Sequence, residues 1–208
     1  MRFLQKLTLI LLVLFLSSIG QTTPIIEGNL VKIENKLAIS QSNSSPIDLP
    51  LFIESNQPFV RDILENHLEP GDYIKVDGVV LFDEQTIRVR HIRQVGLHRL
   101  YGYWETTQAP PEIHPTELFN FIDHSRIDIK SASFDQQIFL GYNFTASTYH
   151  LFPLEAEGTF NIILFGVDGV QIGTLKYDEQ KQCIDIQFAA PNHQYRLKRV
   201  TDEFYRYL

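Results

Sequence analysis

The feature that most constrains this chain is a series of short segments, from its middle onwards, in which apolar and polar residues alternate. In residues 126–130, Ile127 and Ile129 share one face, and two such segments meet at the hairpin sequence Asp168-Gly169. Alternation with a period of two is typical of half-buried β-strands, and Asp-Gly favours a tight turn. Strands at regular spacing with short turns predict an antiparallel meander closed into a barrel.

The first half of the chain changes its period once. Phe59, Ile63 and Leu64 share a face at helical spacing between the third and fourth strand-like segments. The order strand, strand, strand, helix, strand, strand resembles that of the OB-fold, a small five-stranded barrel. We expect an all-β chain of two antiparallel barrels, an OB-like domain at 21–99 and a second barrel at 100–208. Five segments have the strand pattern of the first domain: residues 29–33, 36–40, 47–55, 73–82 and 86–97.

The single tryptophan, Trp104, follows Gly102 at the start of the meander, and Arg199 lies on its last strand. A Gly-x-Trp at that place, with an arginine on the last strand, resembles the pattern of the lipocalin (calycin) superfamily. The resemblance implies that the tryptophan plugs the closed end of the barrel and that the arginine lies across its ring. Such a contact contributes about 0.5–2 kcal/mol. Strand alternation favours Arg199 over Arg196 for this role.

The resemblance also implies an apolar ligand inside the second barrel, with Phe121, Tyr142, Phe144 and Phe160 as the expected lining. An eight-stranded barrel is, however, just wide enough to be filled by its own side chains. The segment is shorter than a typical lipocalin, and the chain has 15 phenylalanines to fill such a core. The sequence therefore favours a filled barrel and leaves a ligand pocket as the alternative.

One predicted strand, within residues 159–167, is apolar on both of its faces. Ile163, Phe165 and Val167 lie on the face that should point away from the barrel interior. An outward face normally carries polar residues, so we expect something to cover it. The neighbouring domain is the favoured cover, and a partner protein or a membrane surface is the alternative.

The N-terminal segment resembles a secretory signal. Arg2 and Lys6 precede an apolar run at residues 7–16, which is far shorter than the ~20 residues that span a bilayer. We expect cleavage after Gly20 and export to the periplasm or the medium. Membrane association is expected only if this segment, residues 1–20, is retained.

Nucleic-acid binding is disfavoured, although basic residues such as Arg88, Arg90 and Arg93 cluster on one predicted strand. The formal net charge is −7, whereas a phosphate-binding surface needs clustered positive charge. The stacking platform of the OB-like domain carries only Phe52, and single-strand binders interleave several aromatics with basic groups. A solvated strand face or an acidic protein partner accounts for the cluster.

Neither a metal site nor a cofactor is expected. Glu112, His114, Asp123 and His124 do not have the spacing of a zinc motif. Cys183 is the only cysteine, so no intramolecular disulfide forms.

The sequence contains no nucleophile elbow and no phosphate-binding glycine loop. We therefore expect an exported, non-catalytic binding protein that holds a small apolar ligand in the second barrel or a secreted or envelope protein on it. A structural or interaction module with solid barrels is the first alternative. A hydrolase or isomerase, which would involve His150 or His193, is the second.

Overall fold

The computed structural model describes residues 23–41, 50–108, 117–135, 138–154, 158–166, 169–189 and 194–200. Side chains are described in these ranges except at residues 41, 108, 131–135 and 138–144. Within this part of the chain, thirteen β-strands form one continuous hydrogen-bonded sheet. The prediction of an all-β fold is confirmed.

The first five strands pair with one another in a circular order. Strand β1 pairs antiparallel with β2 and β4, β2 pairs with β3, and β4 pairs with β5. The circle is completed by a parallel pairing between β3 and β5. Their bounds are β1 Ile25–Ile33, β2 Lys36–Gln41, β3 Leu51–Glu54, β4 Tyr73–Leu81 and β5 Thr86–Gly96.

A short helix, α1, spans Pro58–Asp62 between β3 and β4 and continues as a π-helical turn over Ile63–His67. Its buried side chains are Val60, Ile63 and Leu64, whereas Phe59 is 37% exposed. The predicted helical face included Phe59, and this detail is wrong. Val60, next to Phe59 in the first turn, is buried in its place, three and four residues before the buried Ile63 and Leu64.

The remaining eight strands form a closed antiparallel barrel, which confirms the predicted β-barrel. Each strand pairs with the next along the chain, and β13 returns to pair with β6. The strands are β6 Gly102–Gln108, β7 Glu117–Phe121, β8 Arg126–Asp135, β9 Ile138–Pro153, β10 Thr159–Gly166, β11 Gly169–Asp178, β12 Cys183–Phe188 and β13 Gln194–Arg199.

The barrel interior is packed by the inward residues of these strands. On β10, Phe160, Ile162 and Leu164 are buried, while Phe165 on the other face is 40% exposed. This alternation is the one that the sequence pattern predicts for a barrel strand. The inner core also contains Trp104, Phe121, Ile127, Tyr149, Leu151, Leu175, Ile184, Ile186 and Leu197.

The two sets of strands meet where β5 approaches β9. Val95 pairs with Leu151, which joins the two sets into one sheet. Beside this pair, the ring of Tyr73 stacks on that of His124 with centroids 3.9 Å apart. A 3₁₀ turn at His98–Leu100 then leads from β5 into β6. The division of the chain into two domains stays a prediction.

Candidate ligand site in the barrel

Trp104 seals one end of the eight-stranded barrel. Its side chain is fully buried, and its indole Nε1 donates a hydrogen bond of 2.6 Å to the carbonyl of Leu100. The ring of Tyr177 meets the indole edge-on, with centroids 6.3 Å apart. A buried indole needs an acceptor for its N–H group, and the turn before β6 supplies one.

Arg199 covers the same end. Its guanidinium carbon lies 4.7 Å from the centroid of the Trp104 ring. Nη1 donates to the carbonyl of Tyr101 at 3.2 Å, and Nη2 donates to the carbonyl of Arg99. Gly102, which lies between Tyr101 and Trp104 in the sequence, has φ +112°, a conformation that favours glycine. The structure thus brings together the three residues of the Gly-x-Trp and arginine pattern.

The opposite end of the barrel contains a cavity of about 180 Å³. Residues 109–116, 136–137, 167–168 and 190–193, which connect these strands along the chain, lie outside the described residues. The described residues that line the cavity come from seven of the eight strands: Glu117, Phe119, Ile129, Thr145, Ser147, Leu164, Gly166, Gly169, Gln171, Phe188 and Tyr195.

Tyr195 contacts two other aromatic rings of this lining. The Tyr195 ring lies edge-to-face against Phe119, with centroids 5.5 Å apart, and against Phe188, at 6.1 Å. Burial, followed by the nearby Glu117 carboxylate, raises the pKa of Tyr195 to about 12. The phenol is therefore neutral at physiological pH and can donate or accept a hydrogen bond.

Glu117 is the one charged residue among the described residues that line the cavity. It begins β7, where its backbone N–H donates to the Thr106 hydroxyl at 3.0 Å and its carbonyl accepts from the same hydroxyl. These two bonds anchor the start of the strand on β6. The anchored backbone positions the Glu117 side chain at the cavity.

The predicted lining residues fall into two groups. Phe121 and Phe160 point into the barrel and are fully buried, but they pack in the core and do not border the cavity. Phe121 meets Tyr149 edge-to-face at 5.3 Å. Tyr142 and Phe144 lie on β9, opposite Ala132 and Lys130, and their side chains are outside the described part, so their predicted role stays a prediction.

The doubly apolar strand β10 forms part of an exposed outer face. Ile163 pairs with Ile172 of β11, and Phe165 pairs with Val170. Phe165 is 40% exposed, Val170 59% and Ile172 56%, while Ile163 is half-buried. Val167 lies outside the described residues. Among the described residues, Phe165 is therefore only partly covered, and the expected cover of this face stays a prediction.

The basic cluster on β5 is largely neutralised by neighbouring carboxylates. Arg88 Nε lies 2.8 Å from Glu54, and Arg93 Nη2 lies 2.7 Å from the buried carboxylate of Asp77. His91 Nδ1 contacts the same carboxylate at 2.9 Å. Ion pairing within the protein competes with phosphate contacts, which is consistent with the solvated-face interpretation.

Two of the residues considered for a metal site have structural contacts instead. Asp123 accepts hydrogen bonds from Ser125 and Arg126, and His124 stacks on Tyr73. Among the described residues, no group of three potential ligands is placed to hold a metal. Glu112, His114 and His193 lie outside that part. His150 packs edge-on against Phe165, with ring centroids 5.5 Å apart.

Two larger grooves lie outside the eight-stranded barrel. One, of about 400 Å³, lies between β2, β3 and the helix and includes Lys36 and Arg61. The other, of about 420 Å³, lies between His67 and the β11–β12 turn. Lys36 and Arg61 are exposed, and long charged side chains at the surface are poorly preorganised for a ligand. The barrel cavity is the better candidate, because buried side chains such as Phe119, Leu164 and Phe188 form much of its described lining.

Comparisons with known proteins give no relative from which the role of this site could be inferred. No family model matches the chain, and neither a curated protein nor a solved structure gives a match. Across the described ranges, no helix has the length and apolar character needed to cross a membrane.

Proposed function

We propose that this protein is a non-catalytic binding protein that takes a small molecule into the end of its eight-stranded barrel opposite Trp104. The observation that carries the proposal is the contrast between the two barrel ends. One is plugged by Trp104 and Arg199, and the other holds a cavity of about 180 Å³ lined by aromatic and polar groups. A cavity of about 150 Å³ is enough to bind benzene in a protein core.

Two features support a binding role over a solid structural barrel. The cavity is bordered by Phe119, Leu164 and Phe188, which would contact an apolar body, and by polar groups that could orient it. Binding sites commonly combine an apolar lining with a few placed polar groups. The volume is close to that of the cavity of about 150 Å³ that binds benzene, so a ligand of about aromatic-ring size fits within it.

The test is to fill the cavity from one of its own strands. Ser147 lines the cavity, whereas its neighbour Ala146 is exposed on the outer face of β9. We expect Ser147→Phe to abolish calorimetric binding of two small aromatic probes, 2-phenylethanol and 2-phenylethylamine. Ala146→Phe, the matched control, keeps it. Failure of both probes to bind the wild type, or equal binding to Ser147→Phe, would refute the proposal.

We also infer that the two parts of the chain belong to the lipocalin-like and OB-like barrel types. The Gly-x-Trp and arginine arrangement supports the first. The circular order β1-β2-β3-β5-β4, with the helix between β3 and β4, supports the second. A crystal structure with β1 unpaired from β4 would contradict the OB-like assignment.

The proposal includes export of the protein, so the ligand would be bound outside the cytoplasm. The basic residues and apolar run at the N-terminus support it. N-terminal sequencing of the protein from the medium or periplasm is expected to begin at Gln21. A product that retains Met1 and sediments with membranes would contradict cleavage.

The second candidate function is association through the outer face of β10 and β11. Phe165, Val170 and Ile172 form adjacent exposed apolar side chains there. Such a two-strand face can pack against the same face of a second copy across a two-fold axis. Sedimentation at rising concentration is expected to show association that Phe165→Thr with Ile172→Thr removes. A monomeric wild type at every concentration would exclude this association.

A further inference from the structure

A groove of about 400 Å³ lies at one end of the circle formed by the first five strands. The end of β1, the start of β2 and the end of β3 border it on one side, and residues 61–70 border it on the other. Because β2 runs antiparallel to both β1 and β3, these strand ends lie together. The described residues that line the groove and their neighbours in sequence lie within the ranges 23–41 and 50–108, so no gap in the described chain interrupts this wall.

The floor of the groove is apolar. Leu64 lies in the π-helical turn and Leu68 follows it, and both side chains are buried. Leu37 and Ile53, on β2 and β3, are half-buried. Leu37 alternates with the fully buried Ile39, so it belongs to the inward face of its strand. A ligand on this floor would contact side chains that pack against the core.

Three exposed basic side chains border this floor, and none has an ion pair or a side-chain hydrogen bond within the described part of the chain: Lys32, Lys36 and Arg61. The described lining also contains two carboxylates. Glu54 is paired with Arg88, whose Nε lies 2.8 Å from Glu54 Oε1, and Glu65 is exposed. Positive charge therefore exceeds negative charge in the described lining, although the net charge of the whole chain is −7.

We propose that this groove is a second binding site and that its ligand is a small amphiphilic anion, a carboxylate carried on a short hydrocarbon chain. The carboxylate would lie at the basic rim, between Lys36 and Arg61, and the hydrocarbon chain would lie on the floor formed by Leu37 and Ile53. The volume, about 400 Å³ against about 180 Å³ in the barrel, leaves room for such a chain. The inference adds a site to the proposed function and does not depend on it.

The two halves of the groove act on different parts of the ligand. Removal of the hydrocarbon chain from water supplies most of the affinity, because it is proportional to the apolar area buried. The basic groups lie on exposed, flexible side chains, so they add little affinity but select the sign of the ligand's charge. A single-stranded nucleic acid fits less well, since such ligands stack on aromatic rings and no aromatic side chain is among the described lining residues.

The decisive comparison uses two probes with the same hydrocarbon chain and opposite charge, octanoate and octylamine, on protein purified after expression of the full chain. Isothermal titration calorimetry at neutral pH and low salt is expected to show octanoate binding at least about tenfold more tightly. The net charge of the chain, −7, attracts the amine non-specifically, so a preference for the acid reports the local charge of the groove. The preference is expected to shrink as salt is raised, because exposed charges are screened.

Lys36→Gln combined with Arg61→Gln is expected to weaken octanoate binding at least about fivefold and to remove the preference over octylamine. Lys198→Gln combined with Arg90→Gln is the matched control, since it removes the same charge from two exposed side chains outside the described lining. We expect the control to change octanoate affinity by less than about twofold. An equal loss in both double variants would overturn the groove as the site. If the first double variant fails to fold, the comparison of the two probes on the wild-type protein still decides the question.

The barrel cavity is tested separately with Ser147→Phe, which fills it. We expect this variant to bind octanoate as the wild type does, since the groove lies on the first five strands and the helix. Loss of octanoate binding in Ser147→Phe, with no effect of the Lys36 and Arg61 substitutions, would overturn the inference and support the barrel as the binding site. Equal affinities for the two probes, or tighter binding of octylamine, would overturn it on the wild-type protein alone.

Discussion

The guanidinium carbon of Arg199 lies 4.7 Å from the centre of the Trp104 ring, and the two residues are direct partners in the β13–β6 ladder. The same guanidinium donates to the carbonyls of Tyr101 and Arg99 in the turn that precedes β6. One side chain therefore covers the buried indole and satisfies two backbone carbonyls of the turn as hydrogen-bond acceptors. Arg199 thus connects the last barrel strand, β13, to the turn that precedes the first barrel strand, β6.

Replacing Arg199 by lysine is expected to destabilise the fold by about 1–3 kcal/mol, because an ammonium cannot cover the indole while donating to two separate carbonyls. Urea unfolding followed by fluorescence measures this, since Trp104 is the only tryptophan. Arg196→Lys is the control: Arg196 lies on the same strand and pairs with Asp185 on the exposed face. An equal loss in both variants would contradict the specific role of Arg199.

A side chain at Gly96 is expected to disrupt the junction between the two sets of strands. A Cβ atom there would overlap the Cβ of His124 and lie 2.8 Å from its Cα. We expect Gly96→Ala to cost about 1–3 kcal/mol of unfolding free energy, as overpacking of a tight contact does.

Gly166→Ala is the control for this substitution, because its added methyl would meet only the movable Ser147 hydroxyl, at 3.3 Å. Thermal and urea unfolding of both variants test the prediction. A Gly96→Ala protein as stable as Gly166→Ala would show that β5 and His124 do not pack this closely.

Asp123 is expected to make stability depend on pH in the acid range. Burial alone raises the pKa of Asp123, but hydrogen bonds from Ser125 and Arg126 outweigh burial and lower it to about 2. Because the folded pKa lies below the unfolded one, protonation favours unfolding. The stabilisation is present above about pH 4 and is lost as the pH falls through about 2.

The corresponding experiment compares wild type with Asp123→Asn in urea at a series of pH values. The variant is expected to be less stable by about 1–2 kcal/mol at pH 6, allowing for partial exposure, and the difference to shrink between pH 5 and 2. Asp83→Asn, at an exposed turn, serves as the control. A difference that stays constant down to pH 2 would contradict the assigned pKa.

The strands and the closed barrel could be predicted because alternation is a local property of the sequence. The partnership of Trp104 and Arg199 joins residues at the two ends of the meander. Only the resemblance to a known barrel pattern placed them together in advance.

The cavity could not be predicted, because it depends on how eight strands are staggered around the barrel. Phe119, Phe188 and Tyr195 come from three strands, and each alone has the pattern of an ordinary core residue. Alternation says which face a residue lies on but not at which height in the barrel. The same limit applies to Phe165, since the sequence predicts its face and not what lies against that face.

Cys183 is expected to react slowly with thiol reagents, although it alternates with the inward Ile184 and Ile186 and so lies on the outer face of β12. The side chain is only 8% exposed. Burial, and then the carboxylates of Asp185 and Asp178, raises the pKa of its thiol and so lowers the thiolate fraction that reacts. At pH 8 we expect a disulfide reagent such as dithiobis(nitrobenzoate) to label the folded protein at least about tenfold more slowly than the urea-unfolded chain. Fast, complete labelling of the folded protein would show that the thiol is exposed.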